Sequence, residues 1–181
     1  MATKSVQKTL VFVPGIFGIK YEWQPLRKIA ECAGFKVVVF NYTTWGKESY
    51  FSVEKKLSAF LKHHNAVGVV GYSLGGTIAV GAHHSLPIFA VCSIFNGTAT
   101  GYLYPSIGFR QIRFDSKYLA TVRNKIRAHN VTSVYSYLDW IIIPGTSSRA
   151  GNSVCVWCPV HAWTSYWPMS REVFRKFLSK L

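Results

Sequence analysis

A serine hydroxyl becomes a useful nucleophile at neutral pH only with a base beside it and a carboxylate to orient that base. Ser73 stands in Gly71-Tyr-Ser-Leu-Gly75-Gly76, directly after the apolar run Val67–Val70 and before a small-residue stretch. That context predicts a sharp strand-to-helix turn holding Ser73 strained and exposed. The glycines are required because side chains there collide with the adjoining strand and helix. A helix starting behind Ser73 also aims N–H groups and a favourable dipole at developing negative charge.

Past Ser73 the carboxylates are Asp115, Asp139 and Glu172. Asp115 precedes a helix opened by Ser116, and Glu172 sits in the first turn of the last helix, where it complements the dipole. Asp139 follows the β-like Ser133-Val-Tyr-Ser-Tyr-Leu138 and precedes a candidate base. Of the histidines, His63, His64, His83 and His84 fall at helix ends and His129 at a helix C-terminus. His161 alone follows a late strand on a loop. The order Ser73, Asp139, His161 is the chain order of this kind of elbow.

The oxyanion of an acyl-transfer intermediate needs two N–H donors. Leu74, next after the nucleophile, is one. The loop Pro14-Gly-Ile-Phe-Gly18 supplies the other through Ile16, since Gly15 lets the chain turn and Pro14 has no N–H. The same loop lacks the spacing and the lysine of a phosphate cradle.

Elements must bring these groups together. Leu10–Val13, Lys36–Phe40, Val67–Val70, Ile88–Ile94, Val131–Tyr137 and Val154–Trp157 read as six strands. Helices are expected over Gln24–Ala33, from a Ser52 cap through Leu61, from Leu74 to about His84, over Ser116–His129, and from a Ser170 cap to the C-terminus. The alternation predicts an α/β fold with a parallel sheet, helices on both faces and reactive groups at the carboxyl ends of the strands. No repeat, linker or boundary breaks residues 1–181, so one domain is expected, with 97–115 as a loop insert or rudimentary cap.

Composition narrows the classes. The chain of 181 residues carries 21 Lys+Arg against 7 Asp+Glu, a formal charge of +14, and is 15% aromatic. Disorder is excluded, because aromatics are abundant and charges few. The charge favours contact with an anionic membrane or envelope surface, but no arginine-rich or RNA-binding signature appears, so specific nucleic-acid binding is not expected. From His63 through Phe109 there is no Asp, Glu, Lys or Arg. Glycine pairs and prolines interrupt every 20-residue window, so buried parallel strands explain the run better than a membrane span. Lys4 and Lys8 precede an apolar stretch too short and too broken for a signal peptide, which points to a cytoplasmic, non-transmembrane protein. Cys155-Val-Trp-Cys158 followed by His161 has metal-ligand types, but Cys32 and Cys92 are distant. Packed thiols are the simplest reading, with a redox pair and zinc as alternatives, and no metal is expected.

Taken together, these segments resemble the α/β-hydrolase superfamily, in particular its small lidless lipases and esterases. Val11-Phe-Val-Pro-Gly-Ile-Phe-Gly18 is similar to the oxyanion motif, Gly71–Gly76 to the nucleophile elbow, Asp139-Trp-Ile-Ile-Ile-Pro144 to the segment after the acid, and His161 to the late-loop base. The resemblance spans about residues 9–180. It implies a minimal fold of about six parallel strands without a large lid, ester hydrolysis through an acyl-enzyme, and no cofactor. Pro14 departs from the histidine of many lipases, and Cys155–Pro159 from their usual glycine. The expected substrate is an apolar acyl ester or lipid, met by Phe17, Tyr72 and Trp163, with Trp167 at the rim. A thioesterase, acyltransferase or deacylase would use the same triad. A catalytically silent basic binding module is the non-enzyme alternative.

Overall fold

The computed structural model describes residues 7–42, 45–82 and 84–181. Lys4 and His83 therefore lie outside the described residues. The elements alternate as the apolar runs require: β1 Thr9–Val13, α1 Gln24–Cys32, β2 Lys36–Val39, α2 Tyr50–His63, β3 Ala66–Tyr72, α3 Leu74–Gly81, β4 Ile88–Val91, α4 Ile107–Gln111, α5 Lys117–Ile126, β5 Val131–Ser136, β6 Asn152–Val156 and α6 Pro168–Leu178. The six strands form one sheet in the order β2-β1-β3-β4-β5-β6. Every pairing is parallel.

Strand order reverses between β1 and β3. With right-handed crossovers, this puts α1 and α6 against one face and α2, α3 and α5 against the other. Central strands covered on both sides read as continuous apolar runs. Accordingly β1 and β4 are buried throughout, and the uncharged stretch 63–109 supplies β3, α3 and β4 at the centre of the molecule. Phe12 and Phe89 of the sheet pack edge-on or tilted against Phe174 and Phe177 of α6. The outer strands β2 and β6 are only partly covered.

Two helix starts differ from expectation. The second helix begins at Tyr50 with Ser49 outside it, not at Ser52, whose hydroxyl bonds Glu48 instead. The last begins at Pro168, because proline's fixed φ suits a first helical position. Ser170 is thus inside the helix and buried. Residues 97–115 hold a 3-10 turn, Ala99–Tyr102, and the five-residue α4; no lid is built there.

The elbow rests on backbone contact. A Cβ on Gly71 would lie 2.3 Å from Gly76 Cα, and one on Gly75 would lie 2.0 Å from the Val13 carbonyl oxygen. Neither neighbour is a side chain able to swing away. Gly71→Ala is therefore expected to lower the unfolding free energy by roughly 3 kcal/mol, read from urea denaturation against wild type.

Candidate active site

Ser73 joins β3 to α3 at φ 53°, ψ −126°, a left-handed conformation costly for a residue with a side chain. Its N–H donates to the Val91 carbonyl at 2.7 Å, fastening the turn to β4. Leu74 is the first helical residue, and its N–H has no acceptor within the helix. Across the switch point, the loop after β1 closes with Gly18 N–H on the Gly15 carbonyl at 3.0 Å. The buried Tyr42 hydroxyl donates to the Pro14 carbonyl at 2.9 Å and anchors this loop from behind. Gly15 abuts the nucleophile: a Cβ there would come within 3.2 Å of Ser73 Cβ. The Ile16 N–H thus belongs to the segment lying against Ser73.

Asp139 follows β5 and His161 follows β6. His161 Nδ1 lies 2.7 Å from Asp139 Oδ2, and both residues are buried. The other carboxylate oxygen accepts the N–H groups of Ile141 and Ile142, each at 2.9 Å. Burial alone raises a carboxyl pKa. Here the imidazole and the two N–H donors outweigh it, so Asp139 is held below its ordinary value. The acid loop is braced by Thr98 and Thr100, whose hydroxyls donate to the Ile141 carbonyl. Thr98 also accepts the Ile143 N–H.

The base is pinned in the same way. The Tyr72 hydroxyl donates to the His161 carbonyl, and its ring meets the imidazole edge-on with centroids 5.6 Å apart. Ser136 Oγ donates to the Cys158 carbonyl at 2.8 Å, and Ser165 Oγ to that of Glu22. Among the described residues the Ser73 hydroxyl makes no hydrogen bond to the imidazole; contacts of this kind commonly tighten only with substrate present.

No protein-family model and no curated protein matches the sequence. Solved structures do match. A Bacillus licheniformis lipase, BlEst2 in its mature form, superposes with a TM-score of 0.75 at 13% identity, over 95% of this chain and 92% of that one. The B. subtilis ydeN gene product gives 0.70 at 17% identity, over 96% and 100%. An esterase domain from Rhodothermus marinus gives 0.65 at 13%, over 96% and 87%. The fold is that of the α/β hydrolases.

Within this hydrolase fold the other expected residues separate. Phe17 and Trp163 are exposed, and Phe17 packs on Trp45 with centroids 5.2 Å apart. Tyr72 is a correction: at 1% exposure it lines no surface pocket. It lies beneath the site because the residue before the nucleophile still belongs to β3. A groove of about 830 Å³ runs between α1 and α6, with Ile29, Phe35 and Leu178 along it and Lys28, Arg171 and Arg175 among its lining. Neither Ser73, Asp139 nor His161 contributes to it.

Cys155 and Cys158 are free thiols, as is Cys92, whose Sγ lies with Asp139 and His161 ligand atoms inside a 4.8 Å cluster. Asp139 and His161 are engaged with each other, and burial pushes the Cys92 thiol well up, away from the thiolate a metal prefers. Cys92 therefore packs, giving its S–H to Thr164 Oγ1 at 3.3 Å.

Glu22 escapes a search for carboxylates that looks only past Ser73. It lies in the 3-10 turn Lys20–Trp23, is 7% exposed, and faces the site from the side opposite Asp139's strand. A Cβ on Gly15 would be 3.6 Å from Glu22 Oε2 and 3.7 Å from Ser73 Oγ, so the acid and the nucleophile flank one glycine. Burial raises its pKa from 4.5 to about 7, with the His161 charge opposing the rise. The available signal was scarcity: a glutamate between Tyr21 and Trp23 in a chain with seven acids.

An acid whose pKa rises on folding binds its proton more tightly in the folded state. Stability therefore falls as pH climbs from 4.5 to 7, by roughly 3 kcal/mol in all for this group. Glu22→Gln removes the loss. Urea midpoints of the variant should gain on wild type between pH 5 and 8, and parallel pH profiles would show instead that the carboxyl titrates alike in the folded and unfolded chain.

Proposed function

We propose that the chain is a serine hydrolase acting on carboxylic esters of apolar acyl groups through an acyl-enzyme. What carries this reading is the Asp139–His161 hydrogen bond of 2.7 Å, formed at the same sheet edge where Ser73 is held at positive φ. In the proposed reaction Ser73 Oγ attacks the acyl carbonyl carbon while His161 Nε2 takes its proton. Asp139 keeps the Nδ1–H tautomer and favours the imidazolium. The N–H groups of Ile16 and Leu74 receive the oxyanion. As the tetrahedral centre collapses, the alcohol leaves with the proton from Nε2. Water then attacks the acyl-serine, losing its proton to His161, and as this second tetrahedral centre collapses His161 returns that proton to Ser73 Oγ and the acid leaves. Phe17 and Trp163, both exposed beside the site, suit contact with the acyl chain. Glu22, its pKa raised by burial, adds a second titrating group beside the triad.

Two measurements test this. A fluorophosphonate probe should label wild type and not Ser73→Ala. Hydrolysis of p-nitrophenyl butyrate should fall by at least about 10⁴ in Ser73→Ala, and by about 10³–10⁴ in Asp139→Asn, where the imidazole takes the wrong tautomer. An unlabelled Ser73, with no hydrolysis above the Ser73→Ala background, would favour the silent binding module. Faster turnover of thioesters or acyl amides than of esters would move the substrate class and keep the triad.

A further inference from the structure

Among the described residues, eighteen large apolar side chains are exposed. All but Phe114 fall between the carboxyl end of a strand and the first turn of the following helix, or in the loop after β5; Phe114 follows α4 within the same connection from β4 to α5. The six strands are parallel, so these connections emerge at one edge of the sheet, the edge that carries Ser73. Among the described residues, the connections at the opposite edge expose none. Phe17, Trp45, Leu103, Trp140, Trp157 and Trp163 represent the five connections, and Trp45, Leu103, Trp140 and Trp157 are each more than 60% exposed. Five of the six tryptophans lie there, and only Trp23 is in the core.

The chemistry of this edge is mixed. Tryptophan and tyrosine combine a flat apolar body with one polar tip, which suits the headgroup level of a bilayer. Exposed Lys20, Lys47, Arg110 and Arg171 stand between the rings, with Asp115 and Glu172 as exposed acids, and Glu172 is paired with Lys176. The whole chain carries +14. Among the described residues no helix is long and apolar enough to cross a membrane, so any contact through this edge is peripheral.

We propose that the strand-end edge is a docking surface for an anionic phospholipid bilayer, with its rings at headgroup depth and Ser73 turned toward the lipid. The surface argument is independent of catalysis. Its use, delivering a lipid acyl ester to the site, rests on the function proposed above.

The test is co-sedimentation of the full chain with vesicles of phosphatidylcholine alone, and of phosphatidylcholine and phosphatidylglycerol in equal parts, with tryptophan fluorescence as a second reading. Wild type should partition to the mixed vesicles with a blue-shifted emission. The triple variant Leu103→Ala, Trp140→Ala, Trp157→Ala should partition at least about tenfold more weakly, while cleaving soluble p-nitrophenyl acetate at the wild-type rate. Should the triple variant fail to fold, Leu103→Ala and Trp157→Ala singly should each show part of the loss. Absence of partitioning overturns the proposal. So does partitioning that high salt abolishes and the aromatic variants leave unchanged, because charge alone then suffices. A dimer in solution that the triple variant disperses, without vesicle binding, assigns the surface to a second copy instead. Vesicle binding by a wild type that hydrolyses no ester leaves the docking surface standing and removes only the catalytic reading.

Discussion

Three hydrogen bonds to one buried carboxylate organise the site. Asp139 accepts from Ile141, Ile142 and His161 in a setting that water scarcely enters, so each bond is strong and each missing one would be costly. Two of the donors are backbone groups two and three residues on, which fold the acid loop around its own side chain. The third fixes the ring of His161 and with it the tautomer. Around this centre nearly every brace is a short hydroxyl donating to a carbonyl: Thr98 and Thr100 on the acid loop, Tyr72, Ser136 and Ser165 on the segment of the base. Such groups carry little side-chain entropy to lose. They hold loops rigidly without adding charge to a site that already holds Asp139, Glu22 and His161.

The nucleophile is positioned by a different means. Ser73 is set by backbone packed on backbone at Gly71 and Gly75, which leave no room for a methyl group, while Gly15 brings the loop after β1 against the Ser73 side chain. The reversal of strand order brings the loop after β1 and the turn after β3 side by side. A donor loop and a reactive hydroxyl thus come from separate parts of the chain without any long excursion.

Much of this was legible in the residues themselves. Gly71-x-Ser-x-Gly75 after a valine-rich run announces its turn because Gly71 meets Gly76 within six residues, whereas Gly75 is demanded by the end of β1 at Val13. The six strands were legible because covering both faces of a sheet leaves uninterrupted apolar runs. Asp139 and His161 could be chosen by order, since carboxylates are so few. Other features were not legible, and for physical reasons. Tyr72 has the look of a pocket residue, yet strand alternation turns it under the site, and alternation is invisible in a continuous apolar run. Glu22 is brought to the nucleophile by a 3-10 turn whose partners are more than a hundred residues away. Helix starts at Tyr50 and Pro168 shifted because neighbouring packing and proline geometry overrode the nearest serine.

The sheet is open, and its two margins are unlike its centre. β2 offers four residues and β6 five, each starting on an exposed side chain, with the next three only partly covered. A free margin is a template on which another molecule can add a strand. Brevity limits that growth to a few rungs, and Lys36 at the head of β2 places a cation where the next copy would begin. Resistance to fibril growth in this molecule is thus built into its margins, while its stickiest side chains are gathered elsewhere.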